Sequence, residues 1–127
     1  MITWNNLDKL TSYQELEKTE SVDLAAVMAG ENGAERVKNY SVPMAEGLTY
    51  NYAAKQVDDK LLEDLQKLAD EAQLTEKFEA LYNGEVINTG EKRMVLHHLT
   101  RGQLGEAVNA DGTDKRAFYK EQQQKIA

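Results

Sequence analysis

Apolar residues recur at a helical period over one long stretch. Val57, Leu61, Leu62, Leu65, Leu68, Ala69 and Ala72 share a face, which predicts a helix over 57–72. Asp58 and Asp59 suit its N-terminus through the helix dipole. The phase breaks near Gln73, where Thr75 can cap a shorter helix with Phe78, Leu81 and Tyr82 pointing inward, closed by Asn83-Gly84. Ahead of the long helix, Ile2, Trp4, Leu7 and Leu10 are spaced too irregularly to assign, and Trp4 is expected to anchor the chain end on a core. Thr11 or Ser12 can cap a helix through Leu16, and Ser21 a second through Met28. Gly30-Glu-Asn-Gly33 then reads as a loop, with a helical turn at 35–40.

Between these helices the period changes. Ser41-Val42-Pro43-Met44 and Leu48-Thr49-Tyr50-Asn51-Tyr52 read as extended segments joined by Ala45-Glu46-Gly47, a hairpin whose Pro43 belongs on an edge. In Gly84–Arg101 the front half reads as a loop and the back half as a helix capped at Asn88-Thr89-Gly90. On that helix Arg93, His97 and Arg101 would stand at i, i+4 and i+8, two guanidiniums and an imidazole in line. Gly102–Thr113 is a polar linker with three glycines, and 114–127 has helical composition, with Ala117, Phe118, Tyr119 and Ile126 as its apolar members. No glycine, proline or polar tail ends that last helix, so the chain is expected to be cut from a longer one.

The 127 residues suffice for one domain, which would bury roughly two-thirds of its unfolded surface. The net charge of −7 opposes binding to nucleic acid or an anionic membrane, both of which require a basic field. A phosphate ligand would need a local basic pocket. With no cysteine, disulfides, thiolate chemistry and cysteine-based zinc sites are excluded. No apolar run is long enough to span a bilayer and the N-terminus lacks a signal-peptide pattern, which leads to the expectation of a cytosolic protein.

Candidate chemistry is sparse. Adjacent His97 and His98 diverge by about 100° on a helix and cannot share a metal as an i, i+4 pair can. Asn109-Ala-Asp-Gly112 resembles a calcium loop only in part, since Ala107 and Phe118 would fall at the first and twelfth ligand positions; a turn is the better reading. Neither a phosphate-cradling loop, a dinucleotide fingerprint nor a nucleophile triad is present. Glu91 already supplies negative charge to the helix expected from Thr89-Gly90, which disfavours a phosphate there. The Arg93, His97, Arg101 stripe would either face an anionic group or bond carboxylates and carbonyls of a neighbouring element. The second, structural reading is preferred, because ionic networks are commonly structural.

The same stretch resembles the glucose-6-phosphate isomerase family, whose sequences carry Gly-Glu-x-Ile-Asn followed by Thr-Glu-x-Arg-Ala-Val-Leu-His-x-Ala-Leu-Arg. Gly84, Glu85, Ile87, Asn88, Glu91, Arg93, Val95, Leu96, His97 and Arg101 match without a gap, while Gly90, Met94 and Leu99-Thr100 depart. The likeness is strong over 78–101, moderate over 35–73 and poor before Ala34.

The resemblance implies an aldose-ketose isomerase that interconverts glucose 6-phosphate and fructose 6-phosphate by ring opening and enediol proton transfer, without a cofactor, in an α/β homodimer several times longer than this chain. It also places the family's phosphate-binding loop and its catalytic glutamate, histidine and lysine downstream of the matched region, on no residue here. The expectation is therefore a mainly α segment with one short β-hairpin, the N-terminal helical part of such an enzyme and inactive alone, with the rest of the isomerase as its partner. A free-standing helical interaction module is the alternative.

Overall fold

The structure, a computed structural model, describes residues 1–101, 106–110 and 112–127. The chain divides into two compact units, residues 7–68 and residues 1–6 with 69–127. It is mainly helical, with small antiparallel hairpins at three places among the described residues rather than at one.

In the 7–68 unit, α1 (Thr11–Leu16) has the buried Leu10 at its N-cap position, so Thr11 and Ser12, the expected caps, lie inside the helix. Helix α2 (Leu24–Val27) is capped not by Ser21 but by Asp23, whose Oδ1 accepts from the Ala26 amide at 3.1 Å. The segment expected as a loop at 30–33 is instead the first turn of α3 (Gly30–Asn39). Gly33 allows this: its bare Cα lies against the Met28 carbonyl, where a Cβ would overlap backbone.

The next hairpin forms where its spacing predicts, with β1 (Ser41–Pro43) antiparallel to β2 (Thr49–Asn51) and Val42 opposite Tyr50. Helix α4 (Asp59–Glu71) follows, its first turn satisfied by Asp58, whose Oδ1 accepts from the Leu61 amide at 2.7 Å. Its apolar face is only partly covered. Leu65 remains exposed, whereas Asp64 is buried and bonded by the ammonium groups of Lys60 and Lys67.

Arg36 is the hinge pin of this unit. It is buried, and its guanidinium donates to the carbonyls of Ala53 (2.8 Å), Lys55 (3.0 Å) and Val57 (2.6 Å) while lying 4.0 Å from the centroid of the Tyr40 ring. It thereby ties α3 to the strand-to-helix connection, whose carbonyls lack a sheet partner.

In the second unit, α5 (Leu74–Tyr82) begins after Gln73, which adopts a left-handed conformation, so Thr75 is inside the helix rather than its cap. The Gln73 Oε1 accepts from the Thr3 amide at 2.8 Å, holding the N-terminal strand of chain at this corner. Phe78, expected inside, is exposed and stacks on Tyr82 at 6.4 Å; Ala80 is the side chain that α5 buries. Trp4 also fails to enter a core, and its ring lies beneath the Lys77 ammonium at 5.4 Å.

Helix α5 ends in paired bonds from the Gly84 amide to Leu81 O (3.1 Å) and from the Glu85 amide to Ala80 O (2.9 Å), with Gly84 at φ 76°. The helix expected from Glu91 to Arg101 does not exist. Its place is taken by β3 (Val86–Asn88), antiparallel to β4 (Arg93–Met94), and a 3₁₀ turn at His97–Thr100. A hairpin of β5 (Asn109–Ala110) and β6 (Thr113–Asp114) leads into α6 (Lys115–Ile126). Leu99, Val108 and Ala80 form the apolar centre of this unit. Of the stretch 102–113 expected as a polar linker, residues 102–105 and Asp111 of the rejected calcium loop lie outside the described residues, and its described part carries β5 and the start of β6.

Candidate functional site

The chemistry-bearing groups of the second unit converge on the end of α5. The Tyr82 carbonyl, unpaired because the helix stops there, accepts from the Arg116 guanidinium at 3.2 Å and lies 3.0 Å from His98 Nε2. The His98 ring stacks on the Tyr82 ring at 5.0 Å, and Arg116 lies 5.4 Å from the same ring's centroid. Arg116 is buried and also donates to Glu106 O at 2.7 Å. His98 Nε2 faces the Tyr82 carbonyl, which can only accept, so the proton sits on Nε2, and Nδ1 is buried with no partner among the described residues. Asp114 Oδ1 caps α6 by accepting from the Arg116 amide at 2.9 Å, and accepts from the Val108 amide at 3.3 Å.

The motif residues take up separate posts around this centre. Gly84 occupies the left-handed cap position, and its missing side chain leaves room for Val108: a Cβ would overlap Val108 Cγ1. Glu85 is exposed, and Ile87 is half-buried on β3. Asn88 closes the hairpin loop, its Oδ1 accepting from the Glu91 amide at 3.1 Å and its Nδ2 donating to Glu91 Oε2 at 3.3 Å. Arg93 lies exposed on β4, with a long 3.9 Å ion pair to Glu91. His97 and Arg101 are exposed at the two ends of the 3₁₀ turn. The expected line of two guanidiniums and an imidazole is therefore not formed, because β4 and a 3₁₀ turn do not share a 3.6-residue period.

The bracing role falls on His98 and Arg116, which the sequence did not single out. Arg116 carried a signal nonetheless. It stands in the first turn of α6, where the helix dipole disfavours a cation, so its placement there calls for a specific acceptor.

Lys92, Arg93 and Lys115 border a shallow hollow of about 320 Å³ floored by Val86, Met94 and Leu96. Glu91 beside Arg93 and Asp114 at the start of α6 offset that positive charge. Among the described residues no group of three or more His, Asp or Glu side chains could hold a metal ion, and no helix is long and apolar enough to cross a membrane.

Residues 51–127 match the phosphoglucose isomerase family, a span that includes all of the α5 cap, the β3–β4 hairpin and α6. The chain belongs to the phosphoglucose isomerase family. Glucose-6-phosphate isomerase of Treponema denticola is 53% identical over 97% of this chain, that of Treponema pallidum 40% over 98%, and that of Borreliella afzelii 39% over 99%. These alignments run through the first third of the chain, where the family motif alone gave little likeness. The chain spans about a quarter of the length of these relatives, 24%, 24% and 23% respectively.

Proposed function

We propose that these residues are the N-terminal segment of a cytoplasmic, homodimeric glucose-6-phosphate isomerase. The intact enzyme would open the sugar ring and pass a proton between neighbouring carbons through an enediol, with no cofactor. The observation that carries this reading is the match of residues 51–127 to the phosphoglucose isomerase family, together with identity of up to 53% along nearly the whole chain.

The local geometry fits a supporting role. Gly84, Asn88 and Glu91 are engaged in closing a helix and a hairpin, and Glu85, Ile87, Arg93, His97 and Arg101 converge on no common point. The catalytic groups and the phosphate site are assigned to the part of the enzyme beyond these residues. Coupled assay of glucose 6-phosphate conversion tests both halves of the reading. The product of the complete reading frame is expected to turn over the sugar phosphate and the 127-residue chain is not. Turnover by the short chain alone overturns the assignment of catalysis elsewhere, and an inactive complete product overturns the isomerase reading.

A further inference from the structure

The 7–68 unit leaves a set of large apolar side chains in the open on one hairpin. Val42 is 44% exposed, Met44 57%, Leu48 65% and Tyr50 47%. Val42 and Tyr50 are directly opposed across the β1–β2 ladder, and Tyr52 follows Tyr50 on the same side by strand alternation. These three, with Val57 and Leu62, wall a hollow of about 370 Å³ with Lys55 at its edge.

The wall is preformed. The Tyr50 and Tyr52 rings stack at 6.1 Å, Tyr52 packs on Tyr40 at 5.3 Å, and the Tyr40 hydroxyl donates to Asp59 Oδ1 at 2.8 Å. Arg36 beneath Tyr40 fixes the backbone from Ala53 to Val57.

We propose that this face seats a segment of the same polypeptide that follows Ala127. The inference rests on the reading of the chain as part of a longer isomerase. The relatives are about four times as long as the span they share with it, so most of their mass is available to cover the face. Contiguous exposed apolar surface of this kind marks an interface. A second copy is the weaker occupant, because a tethered segment arrives at high effective concentration whereas a separate molecule does not. The segment that fits presents a branched aliphatic or aromatic side chain to the hollow and a carboxylate to Lys55.

Hydroxyl-radical footprinting of Met44 and Tyr50 tests the seat in the product of the complete reading frame and in the 127-residue chain. Both side chains are expected to react about tenfold more slowly in the long protein. Equal rates overturn the proposal, and so does protection in either protein that fades on dilution, which would make a second copy the occupant. Val42→Lys in the long protein gives a measurement independent of how the short chain folds: the urea midpoint is expected to fall, and an unchanged midpoint overturns the proposal. Activity of the same preparation separates the outcomes, since an inactive protein with a protected face refutes the isomerase reading and leaves the seat standing.

Discussion

Two glycines of the motif stretch behave oppositely despite lying six positions apart. Gly84 combines a positive φ with Val108 packed against its Cα, whereas Gly90 has only Asn88 Oδ1 nearby, at 3.7 Å from where a Cβ would stand. Gly84→Ala is expected to cost about 2–4 kcal/mol, from left-handed strain and overpacking together, and Gly90→Ala less than about 0.5 kcal/mol, both read by urea denaturation. The cap role of Gly84 was legible in the sequence because Asn-Gly after an amphipathic run has one common use. The Val108 contact was not, since it spans a long sequence separation that no local pattern encodes. Arg93 gives the converse lesson. Among the described residues its ion-pair partner is an exposed carboxylate at 3.9 Å, so Arg93→Ala is expected to change the stability of the short chain by less than about 0.5 kcal/mol. If the same substitution lowers turnover of the complete enzyme while its melting temperature holds, a structural role for Arg93 fails.

At the scale of elements, the long amphipathic helix and the first hairpin were readable because each repeats its period over enough residues to exclude the other. The segment 84–101 was not. Arg93, His97 and Arg101 coincide with a helical spacing, while the strands they interrupt are only two or three residues long and alternate too briefly to show. Buried arginines were invisible for a related reason: what determines Arg36 is a set of carbonyls 17 to 21 residues away. Arg36→Met keeps the aliphatic stem but removes the guanidinium from the Ala53 and Val57 carbonyls, while Lys55 O keeps the Val57 amide, and a loss on the order of 3 kcal/mol is expected in denaturant titration. Asp64 supplies the pH-dependent contribution of α4. Hydrogen bonds from Lys60 and then Lys67 hold its carboxyl below the usual 3.8, and Asp64 in turn raises Lys67 above 10.5. A lowered carboxylate stabilises the fold above its unfolded value and loses that contribution as pH falls through the folded one. Wild type should therefore exceed Asp64→Asn in stability at neutral pH, with the gap closing below 3.8. A gap that persists in acid would show that the carboxylate charge is not what stabilises α4.

The whole molecule carries 22 acidic against 15 basic side chains, an imbalance that individual ion pairs do little to relieve. Two of the pairs are exposed, Lys9 with Asp8 and Arg93 with Glu91, and such pairs contribute little in water. Self-repulsion between charges further apart acts over the Debye length, which shrinks from about 30 Å to about 8 Å as salt rises from 0.01 M to 0.15 M. Added salt should thus stabilise the short chain, by less than about 1 kcal/mol, against the loss of its surface pairs. The urea midpoint at the two ionic strengths decides which effect is larger, and a midpoint that falls with salt would mean that the paired charges outweigh the repulsion. The same field bears on the chemistry. An anionic sugar phosphate approaching this surface meets a net negative body, so any affinity for it has to come from a local cluster of positive or amide donors, which the proposed function assigns to residues outside these 127. Inorganic phosphate should accordingly leave the melting temperature of the short chain unchanged while raising that of the complete enzyme.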